Sequence, residues 1–269
     1  MKTAPWVGAC LLLAAGLASA GADVPNGSFE QLDEKGNPAG WQFRDYGTGA
    51  SGRLAQPGAD GTGHCAVISC ATVKQRGSWV AQAVPIGPYQ GLTVSLRYRT
   101  ALREGQPGAS LRVTWLGPGQ GWDFVSEARA DLPASSAWAA AQRSFIAPAG
   151  AARAVIELFN FWAAGEVYFD DVAVSIMSEA DRDESLRALL DREPAEYEVG
   201  YKPADGATVG VTPPSFSWVP APQFKYALQW SQSPDFSGAE TVRGIELTIY
   251  TPDHVLSPGR WYWRYGLEL

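Results

Sequence analysis

The side chains best placed to do chemistry in this sequence are aromatic and basic, and they sit where packing alone does not call for them. Trp122 falls inside a glycine-rich loop, Gly117-Pro118-Gly119-Gln120-Gly121-Trp122-Asp123-Phe124, and an exposed indole there predicts a contact surface. Strand alternation supplies further candidates. With Ile156 and Leu158 facing a core, Glu157 and Phe159 face outward and Trp162 lies in the turn that follows. With Val94, Leu96 and Tyr98 inward, Ser95, Arg97 and Arg99 lie on the opposite side, where Arg112 extends a positive stripe. A flat ring beside polar groups is what the apolar face and hydroxyls of a pyranose require, and guanidinium groups add the means to meet a uronate or a sulfate.

Catalytic arrangements are missing from the pattern. His64 precedes a strand, His254 lies in a turn, and no Gly-x-Ser-x-Gly elbow accompanies them. No spacing singles out a pair of glycosidase carboxylates, and neither a phosphate loop nor a dinucleotide fingerprint is present. Trp41, Trp79 and Trp115 fall in apolar strand contexts and read as core.

The elements that must hold these residues are short strands. From Asn26 to Ile176 the sequence alternates apolar runs with Gly, Pro, Asn and Asp, and Leu92 to Thr100, Ser110 to Leu116, Ala154 to Phe161 and Glu166 to Ile176 all read as strands. That predicts an all-β antiparallel sandwich over 21–177. Residues 178–196 then carry helical signals: Ser178 as N-cap, acids in the first turns, a stripe of Leu186, Leu189 and Leu190, and Pro194 as terminator. This reads as a linker helix. Strands return over 197–269, at Pro214 to Val219, Lys225 to Ser231, Glu240 to Tyr250 and Arg260 to Tyr265, with Phe216, Trp218, Tyr226, Leu228, Trp230, Trp261 and Trp263 alternating inward. A sandwich ending at Leu269 directly after a strong strand reads as incomplete.

Two stretches carry family resemblances. Residues 24–43, VPNGSFEQLDEKGNPAGWQF, and 165–175, GEVYFDDVAVS, resemble the first and last strands of jelly-roll carbohydrate-binding modules attached to polysaccharide-degrading enzymes. The resemblance implies a structural calcium where those strands meet, with Glu30 and Asp171 as side-chain ligands and backbone oxygens completing the shell; carboxylates brought together there would repel without a cation. Residues 197–269, with YKPADG, PPSFSW, YALQWS and LSPGRWYWR in order, are similar to the fibronectin-III-like domain that precedes the catalytic region of heparinase II/III-like polysaccharide lyases. That implies a parent enzyme that eliminates at a uronic acid, through residues of a helical toroid carried elsewhere in the parent chain. The expected function is therefore a non-catalytic binding and spacer region of an exported lyase, with an acidic polysaccharide and a C-terminal catalytic domain as partners. An adhesion or scaffold protein and the accessory region of a glycoside hydrolase are the alternatives.

Residues 1–20 have the order of a secretory signal: Lys2, an apolar run from Trp6 to Leu17, and Ala18-Ser19-Ala20. The expectation is export to the periplasm or beyond, with no membrane span after cleavage. The chain carries a formal charge of −7, made more negative by one when Lys2 is removed, so nucleic acid is an unfavourable partner. Cys65 and Cys70 remain as the mature cysteines. Five residues of straight strand would hold them ~16 Å apart on opposite faces, which predicts free thiols unless a turn or bulge intervenes.

Overall fold

The computed structural model describes residues 24–221 and 224–268; the expected signal peptide lies outside them. The described chain is built of antiparallel strands with one helix, in two compact units that divide after Glu179.

In the first unit the strands are β1 (Trp41–Arg44), β2 (Ser51–Ala55), β3 (Cys65–Cys70), β4 (Gly77–Ala81), β5 (Val84–Pro85), β6 (Gly91–Leu116), β7 (Phe124–Asp131), β8 (Ala139–Ile146) and β9 (Arg153–Ile176). β6 and β9 are each two of the expected strands run together, and they pair with one another along almost their whole lengths. Their register breaks where β6 passes 105–108, and the pairing partners change there. Residues 108–116 of β6 and 153–161 of β9 lie beside β7, β4 and β1, making a first sheet in the order β1-β4-β9-β6-β7. Residues 91–105 and 163–176 lie beside β8, β3 and β2, making a second sheet in the order β2-β3-β9-β6-β8. The two sheets form a jelly-roll type sandwich.

Alternation along these strands fills the core. Trp79, Leu111, Val113, Trp115, Ile156 and Leu158 come from the first sheet, and Ala66, Ile68, Leu92, Val94, Leu96, Val167 and Phe169 from the second, all buried in one cluster. Trp41, Trp79 and Trp115 belong to it, as their apolar contexts predicted. Cys65 and Cys70 sit at the two ends of the straight strand β3 as free, buried thiols. Burial pushes both up to about 11, which leaves them protonated and unreactive near neutral pH.

The segment before β1 is clasped to the end of β9: Val172 N–H donates to the Gly27 carbonyl at 2.9 Å. A side chain on Gly27 would begin 1.7 Å from the Val172 carbonyl oxygen, so only glycine permits that approach.

The second unit begins with α1 (Glu179–Asp191), which buries Leu186 and Leu190, four residues apart on one face. Leu189 is only half-buried, so the stripe is narrower than the sequence implied. Hydroxyls of Tyr201 and Tyr265 donate to the Leu190 carbonyl, the first at 2.6 Å and the second at 2.5 Å, satisfying an orphan acceptor at the helix end. The helix is thereby bonded to Tyr201 and Tyr265 of the second unit. Behind it are β10 (Phe216–Ser217) paired with β13 (Ile249–Tyr250), and β11 (Lys225–Ser231) between β12 (Glu240–Ile245) and β14 (Tyr262–Glu268). Phe216, Trp218, Tyr226, Leu228 and Trp230 are buried as expected. On β14 Tyr265 and Leu267 are buried, and Trp263, on the same side by alternation, is half-buried with its ring 5.5 Å from Phe216; Trp261 lies just before the strand and is half-buried.

Candidate functional site

The outward side of the first sheet has a sealed middle and two open ends. In the middle, Glu157 faces away from the core as alternation requires, yet it is fully buried. Arg112 on the neighbouring strand donates to its Oε2 at 2.8 Å, the Tyr46 hydroxyl donates at 2.9 Å, and Thr114 donates to Oε1 at 2.9 Å. The Tyr46 ring stacks on Phe159 at 5.7 Å, and the Arg112 guanidinium lies 4.4 Å from the Phe159 ring centroid. Phe159 is consequently only 4% exposed. Desolvation in this network raises the Tyr46 phenol above its ordinary range. The sequence placed Glu157 and Phe159 outward correctly, but the loop that brings Tyr46 across them leaves neither free to meet a ligand.

One open end is a cleft of about 360 Å³ beside Trp122. Its floor is Val80, Leu116 and Val155, an apolar cluster on the outward side of the sheet. Gln42 and Gln82 border it and are exposed. Trp122, 50% exposed, forms a wall with the Arg44 guanidinium 5.0 Å from its ring centroid. Arg153 holds the loop in place, donating through Nε to the Gly117 carbonyl at 3.2 Å and through Nη2 to the Gly121 carbonyl at 2.8 Å. Phe124, paired across from Leu116 and largely exposed, adds a second ring at this end. An apolar floor, an exposed indole and bordering amides and guanidiniums can take a pyranose by stacking and hydrogen bonding.

At the opposite end Trp162 is 57% exposed and meets Phe161 edge-on at 4.6 Å, while Arg129 lies 4.9 Å from the Phe161 centroid. Trp162 has φ 60, a left-handed backbone that bulky residues rarely adopt. From Arg153 to Trp162 the strand covers ~30 Å, so the two exposed indoles bracket a length suited to a chain of sugars rather than a single one.

Arg97 and Arg99 are elsewhere. They lie on the second sheet, where Arg97 approaches Asp171 at 3.9 Å and Arg99 stacks on Tyr168 at 4.1 Å and Trp138 at 5.7 Å. The expected stripe with Arg112 does not form, because β6 changes sheets between Arg99 and Arg112. Arg44, Gln42, Arg153, Phe124 and Tyr46 were not singled out from the sequence. Alternation of Trp41-Gln42-Phe43-Arg44 carries a signal for the first two; nothing local reports that the Tyr46 loop folds over the sheet.

At the junction of the first and last strands, Glu30 Oε1 accepts from His64 N–H at 2.7 Å and its Oε2 lies 3.1 Å from His64 Nδ1. Asp170 is 4% exposed and its Oδ2 accepts from Ala59 N–H at 2.7 Å. A side chain on Gly58 would begin 2.7 Å from Asp170 Oδ2, 2.7 Å from the Thr62 carbonyl and 2.9 Å from the His64 carbonyl, so three oxygens border one small space. Burial raises Asp170 to about 6, with the charges of Asp171 and Glu30 adding to it. Among the described residues no three His, Cys, Asp or Glu side chains gather as a metal set. Asp170 and the carbonyls offer oxygens of the kind a hard cation seeks, and Glu30, whose oxygens engage His64, is close enough for its charge to act on Asp170. Asp171 fits less well: its carboxylate is turned toward Arg97 at 3.9 Å, and it sits at a register break of β9 with φ 49.

No family model matches the chain, and no curated protein matches it in sequence. Among solved structures, the enzymatically active domain of bacteriophage CBA120 tailspike protein 4 is similar at TM-score 0.43 and 16% identity, over 56% of this chain and 20% of that one. A CBM4 structure is similar at TM-score 0.37 and 20% identity, over 57% of this chain and 99% of that one. The CBM22-1 xylan-binding domain from Paenibacillus barcinonensis Xyn10C is similar at TM-score 0.39 and 15% identity, over 60% of this chain and 97% of that one.

Proposed function

We propose that this chain is the non-catalytic, polysaccharide-binding and spacer region of an exported polysaccharide lyase. The observation that carries the binding reading is the half-exposed Trp122 indole standing over an apolar floor, with exposed amides at its border; a second exposed indole, Trp162, lies past the other end of the strand segment that begins at Arg153. The first unit holds the polymer along that face. The second unit, fibronectin-III-like in its motif order, spaces it from a catalytic toroid of the same parent chain that acts on uronic-acid-containing polymer. The signal-like residues 1–20 support export. A structural calcium ion belongs at the junction of the first and last strands, held by Glu30 and the Asp170-Asp171 pair, with Asp170 the better placed of the two acids.

Affinity electrophoresis of the whole chain with calcium, over gels containing neutral and uronic-acid polysaccharides, tests this reading. Retardation in at least one gel is expected. Unretarded migration in all of them ends the binding half of the proposal.

A further inference from the structure

The cleft beside Trp122 differs in charge from the molecule around it. Among the described residues its lining contains Arg44 and Arg153 and no carboxylate, in a chain of net charge −7. Three other arginines of these sheets are matched by carboxylates, Arg53 to Glu166 at 2.9 Å, Arg112 to Glu157 at 2.8 Å and Arg129 to Asp131 at 2.9 Å, whereas Arg99 on the second sheet rests on the Tyr168 and Trp138 rings and Arg103 donates to backbone carbonyls. Among the described residues Arg44 has the Trp122 ring beside it and no ion pair, and it also borders a second cleft with Asp45 and Tyr46; the donors that Arg153 uses go to backbone carbonyls. The acids next in sequence are turned into their own loops. Asp45 accepts from Gly47 N–H at 3.0 Å and Asp123 from Gly119 N–H at 3.3 Å.

We propose that this cleft selects a sugar unit bearing an oxyanion, carboxylate or sulfate, and that Arg44 is the residue that reads the charge. The inference rests on the polysaccharide-binding reading of the same face and adds the charge class of the ligand and the group that recognises it. The physical reason is a difference in desolvation. A neutral sugar stacked against Trp122 strips water from a guanidinium and returns only hydroxyl acceptors. An anionic one replaces that water with a charge-assisted and, for a planar guanidinium, bidentate contact. Contact with the indole 5.0 Å away restrains the guanidinium before the ligand arrives, so less side-chain freedom is lost on binding. Arg153 acts at one remove. By tying Gly117 and Gly121 it holds the loop that presents Trp122.

Titration calorimetry of the whole chain, in calcium and at low ionic strength, tests this with galacturonate oligomers, sulfated dextran oligomers and neutral xylo-oligomers of matched length. At least one charged series is expected to bind about tenfold tighter than the neutral one, with affinity falling as salt rises. Arg44→Gln should erase that preference while leaving the thermal midpoint unchanged, and Arg44→Lys should recover part of it. Which charged series binds assigns the oxyanion. Neutral oligomers binding as tightly as charged ones, or Arg44→Gln binding the charged series like the parent, overturns the inference and leaves polysaccharide binding standing. Binding of none of the three removes both.

Discussion

The outward face of the first sheet puts the same kind of pairing to opposite ends at its centre and at its edge. At its centre Arg112 lies 4.4 Å from the Phe159 ring, and at its edge Arg44 lies 5.0 Å from the Trp122 ring. The first guanidinium is neutralised from beneath by a fully buried Glu157 and roofed by Tyr46. The second has a half-exposed ring beside it and, among the described residues, no carboxylate in its cleft. An arginine on an aromatic ring is thus not in itself a binding feature. What separates structure from recognition is whether the protein supplies the countercharge or leaves it to a ligand.

The comparison is most directly broken at its centre. Glu157→Ala takes the buried acceptor from Arg112, Tyr46 and Thr114 at once, leaving Arg112 only the exposed Glu127 at 3.1 Å, and is expected to cost about 3–5 kcal/mol, read by urea denaturation. A loss below about 1 kcal/mol would mean that the centre is no more committed to stability than the edge. Calcium removal comes next. If Glu30 and Asp170 bind the cation, excess chelator should lower stability by about 2–3 kcal/mol relative to saturating calcium, and Asp170→Asn should make the melt indifferent to chelator. An unchanged midpoint for the parent protein refutes the site.

Trp122→Ala sharpens the other side: retardation by polysaccharide should fall about tenfold or more, with stability changed by less than about 0.5–1 kcal/mol. A large stability loss would make Trp122 another Phe159. The smallest effect belongs to Glu166 on the second sheet, held at about 2 by the Tyr168 hydroxyl first, then by Ser69 and Arg53. A carboxyl depressed in the folded state adds stability above its unfolded value, and that stability is lost as pH falls through the folded one. The melts of parent and Glu166→Gln should therefore differ near neutrality and converge between pH about 4.5 and about 2. A gap that persists at the acid end would trace it to packing instead of charge.

How much of this could be read from residues alone depends on how local the cause was. Strand alternation sets the side on which Glu157, Phe159 and Arg97 lie, because it depends only on the neighbours along one strand. Exposure of Trp122 followed from its glycine-rich loop. Burial of Glu157 did not, since it is imposed by Tyr46 from a loop 111 residues away in sequence. Arg99 and Arg112 share a strand but not a sheet, because β6 crosses the sandwich between them. That Asp170 is buried while Asp171 turns toward Arg97 goes with a register break that composition does not reveal. The helix was legible in its bounds and apolar spacing. Its attachment through Tyr201 and Tyr265 was not, since both hydroxyls come from residues beyond it.

The clasp between Gly27 and Val172 has a mechanical consequence. Because the segment before β1 and the end of β9 meet side by side, a pull that separates those two segments would load that junction first, through the bond from Val172 N–H to the Gly27 carbonyl. The long strands β6 and β9, which tie the two sheets together, would bear little of the pull until the clasp had parted. Under drag the first unit would yield at its hem before its fabric, and a cation seated between Glu30 and Asp170 would serve as the stitch that sets the force at which it does.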